Sequence, residues 1–381
     1  MQSLLLYYIV FFVSIFFSHY LLINNDTIHD NQVIYLKNKD ISFNLVYFKR
    51  MLKFFPVFFL PILISGTRYN VGTDYENYYN LYSILKQADF SELMRQTAFN
   101  EPVFVFFNKI SSIITFNSDK GIFFTSAVVI FYLLYKTVLF FNDRYKTGVS
   151  YPIFIFYMYF FALTFNIQRQ MIAVLILFFA YTKLIEKKYI SYILLVFIAT
   201  GFHSSAILGI LFLPISIFIT KEKIINIILL ISPLFVGVLY EIILKIDFFS
   251  RYFYRYETIK GNISYLTLLE LLIFIIPLFL NRKKIIETYP ELKIVFPLSL
   301  VSIPLLFFSS YQHWFGRTIY FISTLQIVLI PLIIKIQTKK INKILYFWMY
   351  VFYFLGYFYL KFYIVGTEEI FPFQTKIIYL K

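Results

Sequence analysis

Apolar runs with few or no charges, about as long as a bilayer is thick, recur from one end of the chain to the other, separated by short polar turns. The first, Ser3 to Leu22, carries no charged residue. Comparable spans are expected at Met51 to Ser65, Gly121 to Phe141, Ser150 to Phe165, Met171 to Ile185, Ile224 to Leu244, Ile263 to Leu280, Ile294 to Phe308, Thr318 to Ile336 and Ile344 to Ile364. Tyr189 to Ile219 is too long for one upright helix and is interrupted at Gly201, Phe202 and His203, which predicts two helices meeting at a tip. Glu101 to Phe116 is short and contains Asn108 and Lys109, so an interfacial or re-entrant helix is expected there. Lipid offers the backbone no hydrogen-bond partners, so each run must be helical. The expectation is an all-α polytopic transmembrane bundle crossing the bilayer roughly a dozen times. No linker or fixed-period repeat divides it, and residues 1–381 read as a single integral membrane domain.

Composition sharpens this picture. Hydrophobic residues make up 60% of the chain and charged residues 14%, and the mean hydropathy is +0.73. A soluble fold has no interior large enough for that much apolar surface. The first run lacks a basic start and a small-residue cleavage site, so it reads as a retained span. With zero cysteines, disulfides, thiolate catalysis and thiolate-bound metals are excluded. The net charge of +15 sits in short loops, where it suits anionic lipid headgroups and not nucleic acid. Lys and Arg crowd one alternate set of loops, including Lys187 and Lys188, Arg282 to Lys284, and Lys339 to Lys343. That set is expected to face the cytoplasm, which puts both termini, Arg68, Arg169, His203 and Arg317 outside.

Candidate chemistry lies in the few polar stretches of this outer set. Residues 66–101 form the longest, an extracytoplasmic loop with an amphipathic helix: Thr73 and Glu76 fit a capping box, and Tyr75, Tyr78, Tyr82 and Leu85 share one helical face. That surface helix explains Asp74 and Glu76 without catalysis; a carboxylate metal pair is disfavoured because residues two apart diverge on a helix. Arg68 leaves a span, where snorkelling to headgroups and a functional role both fit. Arg169 occupies the tight turn Asn166 to Gln170 between apolar spans, where a lone guanidinium is costly and forms a good fork for phosphate oxygens. His203 either holds a helix break by hydrogen bonding or exchanges protons near neutral pH. Arg317, in the polar turn Tyr311 to Arg317, either snorkels or faces a cavity. Arg251 and Arg255 read as a headgroup surface, and the 50 Phe and 34 Tyr as interfacial belts and biased composition. No phosphate-binding loop, dinucleotide fingerprint, zinc-protease motif, nucleophile elbow or Asp-x-Asp appears. Any substrate therefore brings its own energy.

The segments Arg68-x-x-Val71-Gly72-Thr73-Asp74-Tyr75-x-x-Tyr78, Ile167-Gln168-Arg169-Gln170-Met171-Ile172-Ala173 and Ala199-Thr200-Gly201-Phe202-His203-Ser204-Ser205-Ala206 resemble, in order and separation, blocks of the EpsG-type membrane proteins, which include Wzy O-antigen and capsule polymerases. Phe371-Pro372-Phe373 is similar to a Pro-aromatic element near that family's C terminus, with Phe373 where Tyr is expected, and Gly201 is atypical before the Phe-His pair.

The resemblance implies a GT-C-like glycosyltransferase of the bacterial cytoplasmic membrane, working on its periplasmic or outer face. It would transfer a glycan from undecaprenyl diphosphate onto another lipid-linked repeat unit, with no metal and no cofactor, in company with membrane lipids and a chain-length regulator. Arg68, Arg169 and Arg317 would then bind diphosphate, and His203 or Asp74 would serve as base. Two rivals stay open: a lipid-linked oligosaccharide flippase, which should bury ionisable groups midway in its spans, and a GT-C transferase with a polyprenyl-monophosphate donor that uses Asp74 and Glu76.

Overall fold

The computed structural model describes residues 1–23, 39–97, 101–218, 269–309, 313–376 and 379–380, with six further positions between 231 and 245. The expected span Ile224 to Leu244 lies almost wholly outside the described residues, as do Arg251, Arg255, Tyr311, Gln312 and the start of Ile263 to Leu280. Two compact units are present. The first comprises Met1–Ile172, Gly201–His203 and Val351–Lys381; the second comprises Ala173–Thr200 and Ser204–Tyr350.

In the first unit, α1 (Gln2–Ile23) packs on α2 (Lys39–Thr67). Its buried stripe is Ser3, Tyr7, Phe11, Ser14 and Ser18, while Leu5, Ile9, Phe12, Phe16 and Tyr20 are exposed. A helix in lipid gains nothing by hiding leucine from hydrocarbon, so small and hydrogen-bonding residues take the protein side. Ser14 Oγ and the Tyr157 hydroxyl share a hydrogen bond of 2.5 Å, and Ser18 donates to Ser150 Oγ at 3.2 Å. Next come α3 (Tyr75–Gln87), α4 (Phe90–Thr97), α5 (Pro102–Ile114), α6 (Gly121–Tyr145), α7 (Ser150–Tyr159) and α8 (Leu163–Asn166). The helices α2 and α6 pack along their length: Phe58 stacks on Phe131 at 5.3 Å, and Phe54 meets Tyr135 at 5.7 Å. Tyr7, Phe11, Tyr157 and Phe161 interlock at α1 and α7, with Phe11 stacked on Tyr157 at 4.7 Å. Dispersion and ring geometry hold such contacts where the hydrophobic effect between helices is absent, at about 0.5–1.5 kcal/mol per aromatic pair.

The helix α9 (Gln168–Ile185) begins in the first unit and continues into the second, where α10 (Tyr189–Phe202) starts. A 3-10 turn, Ser204–Leu208, leads to α11 (Gly209–Phe218). The later elements of the second unit are α12 (Ile276–Thr288), α13 (Phe296–Ser309), α14 (His313–Thr318), α15 (Tyr320–Ser323) and α16 (Gln326–Lys335). The helix α12 packs on α16, and α13 packs on α11 and α15. Hydroxyls close the gaps: Tyr181 donates to the Phe321 carbonyl at 2.9 Å, and Tyr192 to that of Gly209 at 2.7 Å. The helix α17 (Lys340–Phe358) returns the chain to the first unit.

The fold is an all-α polytopic membrane bundle, with one strand pair among the described residues, Phe373–Gln374 against Tyr379–Leu380. Among the described residues, four helices are long and apolar enough to cross a bilayer, or five if the bent pair Gly316–Ser323 and Gln326–Lys335 is one span. Among the described residues, some of the expected crossings are therefore not single unbroken helices. Apolar runs are cut into shorter helices: Ser150 to Phe165 splits at Phe160 to Ala162, and Thr318 to Ile336 bends by 46°. Hydropathy averages across such breaks, because the residues that make them are themselves apolar.

Candidate functional site

The loop after α2 is built around Gly72, whose φ of +99° and proximity to Asn166, where a Cβ would lie 2.5 Å from Oδ1, both demand glycine. The Gly72 carbonyl accepts the Tyr75 amide at 3.2 Å, and α3 starts there. The expected Thr73 capping box does not form. Asp74 is the N-cap, without a side-chain cap bond; its amide faces Asn166 Oδ1 at 3.5 Å and its Oδ1 accepts from Asn77 Nδ2 at 3.2 Å. Asn166, at the end of α8, donates to the carbonyl and Oε2 of Glu368, both at 2.6 Å. The C-terminal segment is tied across this loop: the Gly72 amide donates to the Glu369 carbonyl at 3.0 Å and the Tyr69 amide to that of Gln374 at 2.9 Å. Phe371 and Phe373 meet the Tyr7 ring at 5.3 and 5.8 Å.

Arg68 is 1% exposed. Its guanidinium lies between the rings of Phe123 and Phe165, at 4.6 and 4.3 Å, and Nη2 donates to the Phe165 carbonyl at 2.9 Å. Burial pushes it down to about 10, opposed by Tyr7, Tyr75 and Tyr78, so it stays cationic at neutral pH. Beside it Lys120 donates to the Arg68 carbonyl and, at 3.0 Å, to the Tyr75 hydroxyl. Burial, then Lys376 and Arg68, bring Lys120 down to about 8.

Arg169 is placed differently. It sits at the start of α9, just past the turn at Ile167, with its side chain 35% exposed. Its Nη1 pairs with Glu101 Oε2 at 2.6 Å, and the other oxygen of that carboxylate, Oε1, lies 2.7 Å from His203 Nδ1. Glu101 is the N-cap of α5, where Pro102 opens the helix, and its side chain is 14% exposed against 25% for His203. The helix N-terminus favours a carboxylate there. Tyr78 on α3 and Phe104 on α5 wall the guanidinium at 6.0 and 5.6 Å, and the Tyr78 hydroxyl accepts the Arg169 amide at 3.4 Å. Burial raises the Tyr78 phenol, with Arg169 opposing. Gly201 explains why His203 can reach this carboxylate: a Cβ there would collide with Val103 Cγ2, so only glycine lets the chain press on α5, where Phe202 also meets Phe107 at 5.5 Å.

The structure thus brings Arg169 and His203 onto one carboxylate, while Arg68 is buried inside the loop and Asp74 stands at the start of α3. Arg317 is exposed on α14 and belongs to the second unit. A family model, that of the EpsG family, matches residues 51–375, leaving out only residues 1–50 and 376–381. The chain belongs to the EpsG family. No curated protein and no solved structure matches it.

Within this EpsG-family chain, sequence reasoning missed Glu101, which lies 68 residues from Arg169 and 102 from His203. A signal existed: a lone Arg in a tight turn between spans needs a counter-ion, and Glu101 is an isolated carboxylate set at a helix start by Pro102. Gly201 has its reason in the packing against Val103.

Proposed function

We propose that this chain is a polysaccharide polymerase of the cytoplasmic membrane that elongates a lipid-linked glycan at the extracytoplasmic face. The donor is a glycan on undecaprenyl diphosphate and the acceptor a hydroxyl of another lipid-linked repeat unit. The observation that carries the reading is the meeting of Arg169 and His203 on Glu101, which sets an anion-binding fork beside a proton acceptor in a partly open site. Membership of the EpsG family supports it.

The chemistry follows from these groups. His203 Nε2 removes the proton of the acceptor hydroxyl as its oxygen attacks the anomeric carbon of the donor sugar. The bond from that carbon to the diphosphate oxygen breaks, and the electron pair leaves with the diphosphate. Arg169 meets the charge developing there with a planar, permanently cationic fork. The proton held on His203 then passes to the released diphosphate or to water.

Gene deletion with gel analysis of the surface polysaccharide tests the reading. The expected mutant keeps a single-repeat band and loses the ladder, whereas an unchanged ladder overturns the proposal. One observation favours the flippase alternative. Glu270 is 5% exposed in the second unit, accepting from Gln326 Nε2 at 2.5 Å and Ser323 Oγ at 3.3 Å, and a buried ionisable group in a membrane bundle suits a passage. Loss of the single-repeat band as well as the ladder would favour that alternative.

A further inference from the structure

We propose that Glu101 is a two-sided positioning residue: it holds Arg169 until a diphosphate displaces it, and continues to serve His203. This rests on the polymerase reading and deepens it. An ionised carboxylate only accepts hydrogen bonds. Its contact with Nδ1, at 2.7 Å, therefore fixes the Nδ1 proton, and a neutral ring is left with Nε2 as its proton acceptor. His203 Nε2 makes no hydrogen bond among the described residues.

The other oxygen neutralises Arg169 at 2.6 Å. That pair must open, or be shared, for the guanidinium to fork onto two phosphate oxygens, and the Glu101 charge repels the incoming anion as well. Glu101 thus costs donor affinity. Once Arg169 has turned to the diphosphate, the carboxylate can stabilise the imidazolium that forms as the acceptor loses its proton. The binding of donor and the strengthening of the base are coupled through one side chain. The geometry supports exchange: Arg169 and His203 sit on separate oxygens, and the Arg169 side chain is 35% exposed, so either partner can leave without dislodging the other.

The test uses the full chain in nanodiscs, with wild type, Glu101→Gln and Glu101→Asp at matched folded amounts, and two readouts. The first is binding of undecaprenyl diphosphate; the second is elongation of a lipid-linked repeat unit, resolved into kcat and KM. Glu101→Gln removes the competing charge and the imidazolium's partner. It should bind the diphosphate roughly three- to ten-fold more tightly while kcat falls roughly 10- to 100-fold. A merely structural Glu101 would weaken both together, and that result overturns the inference. Glu101→Asp keeps the charge but withdraws it by one methylene, so kcat should fall with affinity near wild type; tighter binding in this variant also overturns it. If wild type binds but does not elongate, the polymerase reading fails, while tighter binding by Glu101→Gln still upholds the exchange. If wild type neither binds nor elongates, both are overturned.

Discussion

Two arginines flank the same turn of the first unit, and the structure uses them in opposite ways. Arg68 is 1% exposed, stacked between two phenylalanines and bonded to a main-chain carbonyl. Arg169 is 35% exposed at the side chain and bonded to a carboxylate that also holds an imidazole. A guanidinium suits both tasks because it is planar and weakly hydrated, so it stacks on rings in one setting and forks onto oxygens in the other. What separates them is access and partner chemistry. Arg68 is buried and ties the end of α2 to α8, whereas Arg169 faces an exchangeable ion pair.

Substitutions can break this contrast, and the largest effect is expected beside Arg169. His203→Ala should lower elongation by roughly 10²–10⁴-fold with normal protein in the membrane, measured on purified protein. Near-normal turnover would remove the base from the scheme. Arg68→Met should act through folding, with a loss of about 2–5 kcal/mol from the vacated stack and the unpaired Phe165 carbonyl, read as a lower melting temperature and less protein in the membrane. A stable Arg68→Met protein without activity would put Arg68 back among the functional groups.

Those two outcomes mark how far the sequence could be read. The all-helical fold was legible because long apolar runs leave lipid-exposed backbone no alternative. Arg169 and His203 stood out as polar groups interrupting apolar stretches. Their common partner did not, since no local pattern reports a contact over 68 or 102 residues. Nor could Arg68 be assigned, because in a chain with 50 Phe nothing marks Phe123 and Phe165 as its neighbours. Breaks such as Phe160 to Ala162 stayed hidden for the same reason, being as apolar as the helices they divide.

Smaller effects sharpen the comparison. Gly201→Ala inserts a methyl against Val103 and should displace α5, and with it Glu101, at a cost of about 1–3 kcal/mol. Its signature is partial loss of elongation, eased by Val103→Ala; failure of that rescue would count against the packing argument. The weakest effect belongs to Lys120. Its pKa is about 8 in the fold and higher when unfolded, so between those values the unfolded chain binds the extra proton and stability rises with pH. From pH 7.5 to 9.5 the melting temperature of wild type should gain slightly on that of Lys120→Met, and parallel curves would contradict this.

Arg169→Lys tests the central claim most directly, because it keeps the charge and removes the fork. If Arg169 merely anchored its turn, lysine would serve and the polysaccharide ladder would persist. If Arg169 grips two diphosphate oxygens, the loss of about 1.5–3 kcal/mol slows transfer by roughly 10- to 150-fold. The expected gel of this variant, at wild-type protein level in the membrane, shows mostly the single-repeat band, and a full ladder would contradict the account.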